Sequence, residues 1–223
     1  MKKRNGSGNS RNDAAEARKG DEMPVKIETE RLILRPWEDT EEDVQALFSI
    51  ASDPNVGVHA GWKPHADLDE SRWVMREILL PPGAMAIIQK PEATGSKPEA
   101  RGSKPEAAAT GGRIIGCTAL ESDRLRPDAN SRELGYWLVS TEWGKGYMTE
   151  AAKAMIAYGF DTLGLDQIGI CTSRVNLRSQ SVIKKCGFVY EGTIRRTYKI
   201  YTGELRDSQV YSMLRSEYEA LYK

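Results

Sequence analysis

Between Trp143 and Ala151 the chain reads Trp143-Gly144-Lys145-Gly146-Tyr147-Met148-Thr149-Glu150-Ala151, and no other stretch limits its fold so tightly. This run joins strand-like residues Leu134 to Val139 to a segment whose Ala152, Met155, Ile156, Gly159, Phe160 and Leu163 share one helical stripe, the pattern of a helix laid on a sheet. Two glycines at such a junction let the backbone turn sharply, with several N–H groups aimed into one small space. Unpaired donors at a helix start favour an anion, above all a phosphate. Lys145 adds a full positive charge. An ordinary strand–helix turn with exposed glycines also satisfies this string, so the rest of the chain has to decide.

The remaining periodicities alternate between the two classes. Arg31 to Pro36 reads as a strand with Leu32 and Leu34 on one face, and Glu41 to Ala51 as a helix carrying Val44, Leu47, Phe48 and Ala51. A second helix is expected from Asp69 to Leu80, stopped by Pro81-Pro82. Strands follow at Ala84 to Gln89, Arg113 to Glu121 and Arg132 to Val139, with another at Gln167 to Ser173 beyond the glycine-turn helix. Asn176 caps a helix whose Ser179, Val182, Ile183 and Cys186 share a face, ended by Gly187. Strands at Val189 to Tyr201 and Arg206 to Met213 flank the turn Thr202-Gly203-Glu204, and a short helix closes the chain. The order β-α-α-β-β-β-α-β-α-β-β predicts an α/β fold with a mixed central sheet flanked by helices.

Two segments stand apart. Residues 1–22 are rich in Gly, Ser, Asn, Lys and Arg, have little apolar surface to bury, and are expected to form a disordered tail. Residues 90–112 repeat a Lys-Pro-Glu-Ala heptad with proline in each copy and no apolar seam, which reads as a flexible loop between two strands. The domain proper is then 23–223. Lys and Arg total 32 against 32 for Asp and Glu, so no basic surface points to nucleic acid. No stretch approaches the ~18 apolar residues of a membrane span. Cys117, Cys171 and Cys186 have no metal-like spacing, which fits a reduced, cytoplasmic setting.

Two helix starts follow strands, the glycine turn and Asn176-Leu177-Arg178-Ser179. In an open sheet, ligands collect beyond the carboxyl ends of strands. If the strands ending at Val139 and Ser173 splay apart, a long thin ligand fits between them. Its phosphates would lie on the turn and its polar arm would reach Asn176 and Ser179, as suits a nucleotide with a pantetheine-like arm. Competing chemistries lack their motifs. There is no Gly-x-x-x-x-Gly-Lys-Ser/Thr and no Gly-x-Ser-x-Gly, and Thr149 stands where a dinucleotide fingerprint needs its third glycine. With only His59 and His65, a multi-histidine metal site is not expected. Both read as loop residues in Val58 to His65, a segment whose bulky groups also suit an acceptor pocket.

Three motifs in register carry a family resemblance: Glu133 to Leu138, Trp143 to Ala151, and Asn176-Leu177-Arg178-Ser179 ending in Lys185-Cys186-Gly187-Phe188. Together they resemble the GCN5-related N-acetyltransferase (GNAT) superfamily, and most nearly the subgroup that acetylates N-terminal alanine or serine of ribosomal proteins. Glu28 to Pro36 and Tyr190-Glu191-Gly192 are similar to that subgroup as well. The resemblance implies acetyl-CoA as co-substrate and no metal. It implies phosphate contacts from Gly144, Lys145, Gly146, Tyr147, Met148 and Thr149, pantetheine pairing along Leu138 and Val139, and coenzyme contacts from Asn176 and Ser179. Trp143 and Met148 depart from the superfamily's glycine-turn signature at its first and last positions. Many relatives carry a Tyr four residues before the Gly-Phe pair to protonate the leaving thiolate. Here that position is Ile183, so Ser179, one turn earlier, is the candidate for thiol contact.

Glu133 is the carboxylate on a central strand and the candidate general base, with a structural ion pair as the competing reading. Tyr136 and Trp137 are expected to pack and to wall the pocket, and Cys171 and Cys186 to fill core space. The acceptor is an amine, either a protein N-terminal α-amine or a small molecule such as a polyamine, amino acid or antibiotic. A non-catalytic acyl-CoA-binding module is the alternative from another class. The chain is expected to be a monomer or homodimer with no membrane and no direct nucleic-acid partner.

Overall fold

In a computed structural model, residues 26–80, 83–91, 112–127 and 130–223 are described. The tail expected at 1–22 and nearly all of the repeat loop lie outside them. Eight strands form one sheet: β1 (Ile27–Glu28), β2 (Leu32–Pro36), β3 (Ala84–Gln89), β4 (Arg113–Ser122), β5 (Ser131–Leu138), β6 (Gln167–Ser173), β7 (Val189–Lys199) and β8 (Leu205–Leu214), in the order β1-β2-β3-β4-β5-β6-β8-β7. Every neighbouring pair is antiparallel except β5 and β6. The helices are α1 (Glu41–Ala51), α2 (Pro54–Ala60), α3 (Leu68–Val74), α4 (Tyr147–Ala157), α5 (Leu177–Lys185) and α6 (Arg215–Tyr222). The α/β fold with a mixed sheet is as the periodicities require. No described helix is long and apolar enough to cross a membrane.

The core lies in two layers. Ala151, Ala152, Met155 and Ile156 of α4 meet Leu34, Ile87, Leu134 and Ile168 of the sheet, all buried. A smaller cluster of Val44 and Leu47 from α1, Met75 just beyond α3, and Trp37, Ala86 and Cys117 fills the other layer. Ile115 and Cys117 stand two apart on β4 yet join opposite clusters. The register explains this, because Ile87 faces Gly116 while Ile88 faces Ile114, leaving Ile115 as an extra residue; a bulge reverses the alternation. Phe160 is 1 % exposed and stacks on Tyr218 of α6 with centroids 4.7 Å apart. Replacing it with Ala should destabilise the domain by about 3–5 kcal/mol, measured by urea unfolding.

Three details differ from the sequence reading, the first being the two-residue edge strand β1, which was not expected. Pro54–Ala60 is a helix where a loop was expected. Asp53 caps it by accepting from the Asn55 amide at 2.8 Å, Pro54 opens it, and Gly61 at φ +95° ends it. Its seven residues are too short to display an apolar stripe. The second expected helix is α3 only to Val74, and Met75–Leu79 continues it as a wider helical turn.

Candidate active site

The cleft forms where β5 and β6 stop pairing. Their ladder holds at Ser131–Gln167, Arg132–Ile168 and Glu133–Gly169 and goes no further, so β5 from Leu134 onward keeps a free edge on that side while its other edge pairs with β4 as far as Leu138. A cleft of about 250 Å³ opens beside this edge, lined by Tyr136, Trp137 and Leu138 of β5, the turn from Trp143 to Thr149, Asn176, Arg178 and Ser179 at the start of α5, and Val56, His59 and Ala60 of α2.

The glycine turn ends in the left-handed region, at φ +80° for Gly144 and +87° for Gly146. Gly146 occupies the N-cap of α4 and no side chain caps that helix. Among the described residues none of the backbone N–H groups from Gly144 to Thr149 donates to a protein acceptor, and the first helical bond runs from the Glu150 amide to the Gly146 carbonyl at 3.1 Å. These are the orphan donors of a helix start, and a row of them facing an open cleft is a fit for an anion. A Cβ placed on Gly144 would meet nothing within 4 Å. The side toward the ligand space is open.

Arg31 and Glu150 hold the turn in this shape, and neither role was visible in the sequence. The Glu150 carboxylate accepts from Thr29 Oγ1 at 2.6 Å, the Arg31 amide at 2.8 Å and Arg31 Nε at 2.7 Å. Burial works against its charge, but these donors outweigh it and keep the carboxyl below its usual range. Arg31 Nη1 then donates to the Lys145 carbonyl at 3.0 Å, and its guanidinium lies 4.5 Å from the Tyr147 ring centre. Drawing that carbonyl toward Arg31 turns the Gly146 N–H of the same planar peptide the other way. The Lys145 ammonium, expected at the anion, is bonded to Glu142 at 2.9 Å.

The other sequence candidates divide. Asn176 accepts from the Ser179 amide at 3.1 Å, which starts α5 beside the cleft. Tyr136 reaches across the gap from β5, with its hydroxyl 3.1 Å from Ser179 Oγ and 3.3 Å from the Ser179 carbonyl. Burial pushes the Tyr136 phenol well above its ordinary pKa, so it stays protonated and remains a donor. Val139 donates to Ile115 at 2.8 Å and, unlike Leu138, is not among the cleft-lining residues. Glu133 also lies outside the lining. Strand alternation turns it to the face opposite Tyr136, where both carboxylate oxygens accept from Arg124 at 3.2 Å. Ile183 is fully buried in the core.

The cleft also holds Trp143, Arg178 and His59, the last from the segment whose bulky groups were expected to suit an acceptor pocket. Trp143 folds back to donate from Nε1 to the Leu138 carbonyl at 2.9 Å, and the Arg178 guanidinium lies 4.8 Å from its ring centre. His59 packs edge-on to the same ring at 5.9 Å. Burial lowers the pKa of His59, with the charges of Arg178 and Arg206 adding to the effect. Glu142 pairs with Arg113 at 2.5 Å as well as with Lys145.

A family model described as "Acetyltransferase (GNAT) domain" matches residues 31–189. "Uncharacterized N-acetyltransferase YoaA" of Bacillus subtilis is 30% identical over 191 residues, covering 85% of this chain and 96% of its own. "Putative ribosomal N-acetyltransferase YdaF" of the same organism is 36% identical over 87 residues, 39% of this chain and 47% of its own. Among solved structures, spermidine N-acetyltransferase from Vibrio cholerae in complex with CoA and spermine superposes with a TM-score of 0.63 at 19% identity, covering 86% of this chain and 99% of that one.

Proposed function

The chain belongs to the GNAT family of acetyl-CoA-dependent N-acetyltransferases, and on that premise we propose that its acceptor is the α-amine of a protein or peptide N-terminus. The family match favours an enzyme over the non-catalytic acyl-CoA-binding module. One observation carries the acceptor reading. Glu142 is the sole carboxylate lining the cleft among the described residues, and it is already paired with Arg113 and Lys145, while Arg178 and Arg206 bring positive charge beside His59. A polyamine with several ammonium groups needs carboxylates that this cleft does not offer. An α-amine brings a single proton to be lost. With a pKa of about 7.7–8.0 it gives up that proton near pH 7 for about 1 kcal/mol, against nearly 5 kcal/mol for a lysine-type amine. The short match to a ribosomal N-acetyltransferase points the same way.

The residues divide the work. The free amides from Gly144 to Thr149 take the phosphates of acetyl-CoA, and Asn176 lines the path of its arm. The free edge of β5 at Leu138 orients the thioester, and its N–H groups stabilise the oxyanion that forms on attack. Ser179, backed by Tyr136, donates a hydrogen bond to the departing sulfur. A thiol with a pKa near 8.5 leaves as thiolate with that support, so the missing Tyr at position 183 is not required.

Peptides with free N-termini and spermidine, assayed side by side with acetyl-CoA, test the acceptor. Expected is a kcat/KM at least about tenfold higher for the best peptide, the discrimination that about 1.4 kcal/mol supplies. Spermidine ahead of every peptide would overturn the reading.

A further inference from the structure

We propose that His59 is the base that takes the proton from the acceptor amine through its Nε2. This rests on the cleft being the acetyl-transfer site, but not on which amine enters it.

His59 Nδ1 is buried with no hydrogen-bond partner, the single such side-chain atom among the described residues. Buried polar groups in a fold are nearly always satisfied, so a histidine serving packing alone would have a partner there. The unpaired nitrogen costs stability, and a catalytic role is one of the few reasons for a fold to keep such a group. With Nδ1 closed off, Nε2 is the ring nitrogen left to face the cleft that His59 lines together with Tyr136, Leu138 and Ser179.

The helix that carries the ring is anchored, and the ring itself packs edge-on against Trp143. Arg206 Nη1 donates to the Val58 carbonyl at 2.8 Å and the Tyr198 hydroxyl to the Ala60 carbonyl at 2.5 Å, on either side of His59. The Tyr201 amide reaches the Gly61 carbonyl at 3.1 Å, and Ser140 Oγ bonds Asp53 at the start of α2 at 2.5 Å. A base carried on so anchored a backbone segment has less freedom to lose when the amine arrives. The charged groups around the ring are Arg178 of α5, Arg206 of β8, and Glu142 and Lys185 on the cleft wall. Burial first, and then both arginines, disfavour a charged imidazole and keep it neutral at pH 7, ready to accept.

The step balances. The amine lone pair forms the N–C bond to the thioester carbonyl as the C–S bond breaks, and the sulfur leaves with the electron pair as thiolate. The nitrogen, positive after attack, gives one proton to His59 Nε2. The imidazolium, with Nδ1 unpaired and arginines near, releases the proton to water.

The test is the pH dependence of kcat/KM from pH 5 to 9, run on whichever amine of the panel is acetylated fastest, so that a wrong acceptor class and a wrong base give different results. Because the His59 pKa is depressed, the base is lost as pH falls through a value below 6.5. The wild-type acid limb should therefore steepen from one proton, that of the amine, to two below pH 6.5. His59→Gln should lower kcat at pH 7 by about 100-fold or more, reduce the limb to one proton, and leave the Kd for acetyl-CoA within about threefold. A wild-type limb of one proton throughout would overturn the proposal. So would a loss of acetyl-CoA affinity parallel to the loss of rate in His59→Gln, or a second proton removed by Glu133→Gln instead. If the variant does not fold, diethyl pyrocarbonate on the wild-type enzyme decides. Inactivation should track one modified histidine, mapped by mass to position 59, and full activity with position 59 modified would contradict the assignment.

Discussion

Gly146→Asp should fold normally and lose acetyl-CoA binding by 100-fold or more, read by calorimetric titration with CoA. Gly146 sits at φ +87°, where a side chain costs about 1–2 kcal/mol, although Asp is among the residues that adopt this conformation with least penalty. Its Cβ would have Arg31 Nη2 as nearest neighbour at 3.4 Å, ordinary contact with a cation. A carboxylate at the N-cap of α4 also accepts from the free amides and favours the helix dipole. The folded state therefore gains nearly what the backbone loses, and the melting temperature should move little. The phosphates lose on both counts, since their donors are occupied and a like charge stands beside them, a juxtaposition worth several kcal/mol. A 100-fold loss corresponds to about 2.8 kcal/mol. Gly146→Ala is the control: it carries at least the backbone cost of the Asp variant, has no charge, and should still bind more tightly than that variant. If Gly146→Asp binds CoA within about threefold of wild type, the phosphates do not lie on this turn.

What the chain revealed in advance follows from how far apart the cooperating residues lie. The glycine turn, α4 after it and the Asn176 cap of α5 are local patterns, each written within a dozen residues, and the two apolar periodicities fixed the strands around them. The splay of β5 from β6, the condition on which the ligand path depended, occurs beyond Glu133–Gly169. The clamp that shapes the turn was hidden, because Arg31 and Glu150 are 119 residues apart and each looks like an ordinary surface charge. Glu133 illustrates the reverse case, where the ion pair that the sequence reading set beside the base role has a partner no pattern pointed to. Its strand was evident, but Arg124, which holds its carboxylate, lies beyond the end of β4 in a connection with no periodicity to place it. His59 was read as a loop residue because α2 is short, and its Asp53, Pro54 and Gly61 are start and stop signals without an apolar face between them.

Ser179→Ala should lower kcat by about 10- to 100-fold with little change in the Kd for acetyl-CoA, because a hydrogen bond to a charged group contributes about 1.5–3 kcal/mol and the charge on sulfur exists only as the C–S bond breaks. Tyr136 is a positioning residue in this scheme. Its hydroxyl is within 3.1 Å of Ser179 Oγ and within 3.3 Å of the Ser179 carbonyl, and burial keeps it protonated. When Tyr136 donates to Ser179 Oγ, the serine proton is left free to point at the leaving sulfur. Tyr136→Phe removes that bias but leaves the serine, so its cost should be nearer about 1 kcal/mol, or about fivefold in kcat. The two effects should not add. Once Ser179 is Ala, the tyrosine has no hydroxyl to orient, and the double variant should be as slow as Ser179→Ala alone. Multiplicative losses in the double variant would mean that Tyr136 acts by a separate route, and a Ser179→Ala rate within twofold of wild type would remove the serine from thiolate departure altogether. A donor whose thiol has a lower pKa makes the same point independently, since a better leaving group needs less help and the Ser179→Ala deficit should shrink with it.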